Sequence, residues 1–208
     1  MALNRPFGLS PNRHGNGNAY NGQVTRYRIP SADGSAYFIG DIVKQVAGAD
    51  VSGVSNVQKG TGTLVQRGFI IGVENPTVGG VSIQGTVIDS TVTNVPAVKT
   101  RDYYVYVCDD PDIVFTIQDD GITAGNLVAA SANLNSSTTI TAPALPYQLS
   151  STVLLSSSFA TTVGLQLKLL GLAQYPVLAG GSPNAFGAFG VWLARWNQHE
   201  LMGNQVGI

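Results

Sequence analysis

Residues 101–121, RDYYVYVCDDPDIVFTIQDDG, decide how this 208-residue chain is read. Tyr103, Val105 and Val107 alternate with Tyr104, Tyr106 and Cys108. After a break, Ile113, Phe115 and Ile117 alternate with Val114, Thr116 and Gln118. Two-residue alternation of aromatic and β-branched side chains is the signature of a strand. Between the runs stands Asp109-Asp110-Pro111-Asp112. Proline removes a backbone donor and presets a turn angle, and aspartate favours turns. The stretch therefore predicts a β-hairpin with an acidic tip, its apolar face (Tyr103, Val105, Val107, Ile113, Phe115 and Ile117) at the centre of a core.

Outward from there, the same pattern predicts strands at 24–30, 36–39, 42–46, 64–73 with a bulge at Gly68, 152–155, 163–170 and 191–197. Gly48 to Gly62 reads as a polar loop, and 78–98 as exposed strand or loop. Residues 122–142, rich in Ala, Asn, Ser and Thr, hold weak strands at best. Eight to ten short strands separated by Gly and Pro turns define an all-β chain, a single β-barrel or β-sandwich domain over residues 24–208. No repeat of 20–50 residues is visible, which argues against a solenoid or propeller.

The N-terminal residues 1–23 are of a different kind. HGNGNAYNG holds little to bury, and Arg5, Arg13, Arg26 and Arg28 are the only charged residues before Asp33. Such a segment predicts an extended N-terminal arm that orders on a neighbouring subunit. Its aromatic anchors would be Phe7 and Tyr20, and its arginines Arg5, Arg13, Arg26 and Arg28 would pair with carboxylates. On this reading, removing residues 2–22 leaves the folded body intact. The competing expectation is a frayed end.

Charge is scarce elsewhere. Charged residues are 11% of the chain, against about 25% in ordinary domains. Between Gly121 and Ala194 the only charged residue is Lys168. A surface this poor in charge is either solvated by Ser, Thr and Asn or covered by other protein, and the second reading predicts a homo-oligomer, trimer favoured over dimer. A net charge of −1 argues against nucleic acid as a partner. No run of 18 apolar residues occurs, so no membrane span is expected. The first residues lack the apolar core of a secretory signal. The single cysteine, Cys108, allows no intrachain disulfide and reads as a buried apolar residue.

Catalytic motifs are missing. His14 and His199 lie at opposite ends, Cys108 has no CxxC partner, and no GxSxG, Walker loop or dinucleotide fingerprint is present. Asp109, Asp110 and Asp112 lack the spacing of an EF-hand and read as turn-forming surface carboxylates. Trp192 and Trp196 share one strand face, which predicts packing in a core or subunit interface rather than sugar stacking. No enzyme activity, cofactor or metal is expected.

Three parts of the chain resemble a known class. The set Gly17, Tyr20, Asn21-Gly22, Tyr27, Ile29-Pro30, Gly40-Asp41 and Val43, the segment YVYVCDDPDIVFTIQDD, and LQLKLLGL followed by VWLARWNQH are together similar to small virion structural proteins of tailed bacteriophages, in particular capsid decoration or cement proteins. The resemblance implies a β-rich subunit that assembles as an oligomer on the outer surface of an icosahedral head, against the major capsid protein, after synthesis in the bacterial cytoplasm. It supplies no catalytic residues. The alternative is a phage tail, receptor-binding or adhesin-like β module, for which Ser/Thr-rich strands of low charge are equally suited.

Overall fold

The structure, a computed structural model, describes residues 6–60, 65–74, 94–121, 135–136, 138–140, 149–161, 163–174, 184 and 187–202. The chain is all-β. Its strands are β1 (Ser10–His14), β2 (Thr25–Ile29), β3 (Tyr37–Phe38), β4 (Ile42–Ala49), β5 (Ser55–Lys59), β6 (Gly68–Val73), β7 (Asn94–Val95), β8 (Tyr103–Cys108), β9 (Ile113–Gln118), β10 (Asn135–Ser136), β11 (Thr138–Ile140), β12 (Thr152–Leu154), β13 (Leu167–Leu172) and β14 (Val191–Trp196). A single 3-10 turn, Ser156–Ser158, is the only helical element among the described residues.

Two sheets dominate. Strands β2-β5-β4-β6-β8 close into a barrel, and β1-β9-β14-β13-β10 form a five-stranded sheet. The hairpin expected over 101–121 does not form. Its two strands form, but not with each other. β8 closes the barrel between β2 and β6, with Val107 opposite Thr25 and Ile70. β9 lies between β1 and β14, with Phe115 opposite Pro11 and Ala194. Asp109-Asp110-Pro111-Asp112 is the crossing from one sheet to the other. The reason is pairing: the backbone groups of β9 are taken by β1 on one side and β14 on the other, and those of β8 by β2 and β6, so neither strand has an edge left for the other.

Two cores follow from alternation in the barrel wall. Val43, Ile70 and Val107 point into the barrel, where they meet Tyr27, Ile29 and Val105. Their chain neighbours Ile42, Phe69 and Cys108 point the other way and pack against Phe115, Trp192 and Trp196 of the sheet. Successive side chains of a strand face opposite sides, so one wall serves two cores. Phe69, Phe115 and Trp196 form an aromatic trio in the shared layer, with ring centroids 5.1–6.4 Å apart. Of the residues expected on one hairpin face, Ile113, Phe115 and Ile117 lie in the shared core, Val105 and Val107 lie in the barrel, and Tyr103 is only partly buried against the barrel core.

Two strands escaped the pattern. β5 occupies the expected polar loop 48–62. Among its residues Val57 is fully buried in the barrel core and Asn56 is nearly so. It holds its place by backbone pairing to β4 on one side and β2 on the other. The turn before it is built by Asp50, whose carboxylate accepts from the amides of Ser52 and Val54. β1 is the second. Part of the segment expected to need a neighbouring subunit is instead the edge strand of the chain's own sheet, and Leu9 beside it is 2% exposed. Gly8 and Gly40 make this possible. Both have positive φ, and Leu9 N donates to Gly40 O at 3.0 Å. A Cβ on Gly8 would lie 2.4 Å from Gly40 O, and one on Gly40 would lie 2.4 Å from Phe7 O. Residues 75–93 and most of 122–148 lie outside the described residues. Of the exposed strand or loop expected at 78–98 only 94–98 is described, and there β7 pairs with β3 and Val95 is fully buried rather than exposed. Within 122–142 the short strands β10 and β11 are described.

Candidate interaction surface

The crossing between β8 and β9 gathers the polar groups of three elements. Asp109 Oδ1 accepts from Thr25 Oγ1 at 3.0 Å, and Asp109 Oδ2 accepts from the Tyr27 hydroxyl at 2.8 Å. That hydroxyl in turn accepts from Arg67 Nε at 2.6 Å, and Arg67 Nη2 lies 3.5 Å from Asp109 Oδ2. Burial and the bond to Asp109 hold the Tyr27 phenol above its ordinary pKa. Next along the chain, Asp110 Oδ1 accepts from Asp112 N at 2.8 Å, the local bond that makes the turn. Its other oxygen lies 2.7 Å from His14 Nδ1 on β1. The carboxylates expected to serve a surface turn therefore do more: Asp109 and Asp110 fasten the crossing to β2, to Arg67 just before β6, and to β1. Asp112 alone is exposed.

An open depression of about 380 Å³ lies beside this crossing, lined by His14, Asn16, Asp110, Asp112 and Arg195. A histidine oriented by a carboxylate can act as a general base, but among the described residues the lining holds no Ser, Thr or Cys to activate. Among the described residues no three His, Cys, Asp or Glu side chains group as metal ligands. Cys108 is buried, and burial pushes its thiol up to about 11, the reverse of a reactive cysteine.

The outer wall of the barrel carries a second polar assembly. Arg26 grips Glu74 through Nε at 2.6 Å and Nη2 at 3.0 Å, and its guanidinium lies 3.7 Å from the centre of the Tyr104 ring. The Tyr104 hydroxyl donates to Asp50 at 2.7 Å. Arg28 Nε donates to Asp102 at 2.8 Å, and Ser31 N donates to the other oxygen of that carboxylate. Burial opposes ionisation of Asp102, but the bonds from Ser31 and Arg28 outweigh it and hold the carboxyl below its usual range.

Of the residues expected to form an interacting arm, the structure does not bring the set together. Arg26 and Arg28 sit on β2 with carboxylate partners in their own chain, which corrects the expectation that another subunit supplies them. The reason is register: β2 lies against β8, and this places both arginines beside Asp102, Tyr104 and Glu74. Tyr20 packs on the shared core, donates its hydroxyl to Gln23 O at 2.8 Å and lies 5.9 Å from the His14 ring. Phe7 is half-buried, Arg13 is exposed, and Arg5 lies outside the described residues. Trp192 and Trp196 are core residues, 2% and 1% exposed. Asp119 was not foreseen. This buried carboxylate accepts from Gly121 N, Phe189 N and Trp192 Nε1 and so fastens the turn before β14. No signal in DDG distinguished it from an exposed turn residue.

The chain matches no protein family, no curated protein and no solved structure.

Proposed function

We propose that the chain is a structural virion protein, a decoration or cement subunit that binds and stabilises the icosahedral head of a tailed phage. The observation that carries this reading is the near absence of charge between Gly121 and Ala194, where Lys168 stands alone, in a segment that contributes β13 and most of β14 to the five-stranded sheet. Protein interfaces are depleted of charge at their centres, and a subunit held on a shell exposes less surface to water than a free monomer. The resemblance of the Tyr104–Asp120 segment and the terminal strands to virion structural proteins supports the same reading. The partner is then the major capsid protein, the location is the outer surface of the head, and the subunit assembles with itself, as a trimer before a dimer. The role is non-enzymatic.

The test is quantitative mass spectrometry of purified virions, with heads lacking the chain titrated with purified protein. Hundreds of copies per particle, saturable binding and a higher temperature of DNA release from decorated heads are expected. A few copies per particle would instead favour the tail or receptor-binding module. Absence from the virion would overturn both.

A further inference from the structure

We infer that the outer face of the five-stranded sheet docks an acidic protein surface through the row Arg13, Arg195 and Lys168. The row is set by register. Arg13 on β1 stands opposite Val114 on β9, Val114 stands opposite Arg195 on β14, and Arg195 stands opposite Lys168 on β13. Directly opposed residues of neighbouring strands project to the same side. Three cations therefore lie on one line across four adjacent strands, over roughly 14 Å at the usual strand spacing, with Val114, only 3% exposed, lying between Arg13 and Arg195.

This arrangement runs against the chain's own stability. Like charges directly opposite each other on neighbouring strands destabilise a sheet, yet Lys168 faces Arg195. Elsewhere Lys99 donates to backbone carbonyls, whereas four cations, Arg26, Arg28, Lys59 and Arg67, each have a carboxylate within ion-pair distance. None of the three cations of the row has one among the described residues. Arg13 and Arg195 are exposed and Lys168 is partly so. The one charge in a segment otherwise free of it is thus placed beside a second cation. Local rules broken without compensation inside the chain point to a function outside it.

The chemistry of the partner follows from the charge and its edge. Carboxylates complement a cationic line, and arginine's planar fork can hold each of them through two bonds. A nucleic-acid strand is a poorer fit, because the chain carries a net charge of −1 and three cations do not make the extended basic surface along which a run of phosphates binds. With the cement reading, on which this part of the inference rests, the acidic surface belongs to the capsid.

The experiment uses the full chain and two variants, Arg195→Glu and Arg13→Ala/Lys168→Ala. Arg195→Glu places opposite charges across the β13–β14 pair, so it disrupts the row without straining the sheet. Each protein is passed over immobilised poly-L-glutamate and immobilised oligo-dT, and is sedimented with heads lacking the chain. The unaltered chain should be retained on polyglutamate at low salt and released as salt rises. Both variants should be retained at least about tenfold less and should bind heads correspondingly less. Equal retention of variants and parent, or preference for oligo-dT, would overturn the inference. If the variants lose polyglutamate binding but no form of the chain sediments with heads, the acidic-partner inference stands and the cement reading falls. If all forms decorate heads equally, the row is not the docking face and only the cement reading survives.

Discussion

Phe69 of the barrel and Phe115 of the five-stranded sheet meet edge to face, with ring centroids 5.5 Å apart and planes at 65°. Both are fully buried. The contact joins the two sheets, because Phe69 faces outward from β6 while its neighbour Ile70 faces into the barrel. Phe115→Ala should cost about 3–5 kcal/mol, as for an aromatic lost from a packed core. Phe69→Ala should cost a similar amount. In a double-mutant cycle the two should couple by roughly 0.5–1.5 kcal/mol. Urea denaturation gives all three numbers, and a coupling of zero would mean that the sheets do not share this layer.

Two aspartates of the crossing, Asp109 and Asp112, should behave differently from each other. Asp109 accepts from Thr25 and Tyr27 and lies near Arg67, with its side chain 14% exposed. Asp109→Ala leaves the phenol and the guanidinium half-buried without their acceptor, which should cost on the order of 2–3 kcal/mol. Asp112→Ala removes an exposed carboxylate and should stay within about 0.5 kcal/mol. Equal effects at the two positions would return both residues to the role of simple turn formers.

Acid should weaken the fold through His199. Its ring is fully buried beside Trp196, its Nδ1 accepts from Leu201 N at 3.1 Å, and burial pushes its pKa down to about 4 from an ordinary 6.5. The folded state thus takes up this proton later than the unfolded state as pH falls. Stability from the neutral ring is complete above about pH 6.5 and is lost progressively towards pH 4. The loss amounts to on the order of 3 kcal/mol for a shift of this size. His199→Gln keeps an acceptor but cannot titrate. Melting curves between pH 7 and 4 should therefore fall less steeply for the variant, and parallel curves would rule out His199 as the source.

The N-terminal segment should matter for folding as well as for assembly. Deleting residues 2–22 removes β1 and the buried Leu9 and exposes one edge of β9. The melting temperature should drop by at least about 5 °C for a chain of this size. An unchanged value would restore the picture of a dispensable arm.

Gly8→Ala isolates the same docking without truncation. Its new methyl would overlap Gly40 O and Ser150 Cβ at a positive φ. The cost should reach about 2 kcal/mol or more, strain and overlap together, read as a shifted denaturation midpoint. Gly17→Ala, also at positive φ but with open space around it, should show the backbone strain alone, about 1 kcal/mol.

The amino-acid sequence alone determined the class of this fold and most of its strands. Alternation in 103–108 and 113–118, and again in 163–170 and 191–197, states which residues share a face, and the buried Trp192 and Trp196 follow from it. It could not state which strand lies beside which. Alternation specifies a face, whereas pairing is made by backbone groups that every residue carries alike. The turn at Asp109–Asp112 was therefore read as the tip of a hairpin when it is a passage between sheets. β1 and β5 were invisible for a related reason: with few apolar side chains of their own, they are strands because neighbours already in place leave edges that need partners. The row of Arg13, Arg195 and Lys168 was likewise beyond the sequence, since its members are 155 positions apart from β13 back to β1 and only three steps apart across the sheet. Tertiary structure decided these features because register, unlike hydrophobic period, is a property of the whole sheet and not of any one segment within it.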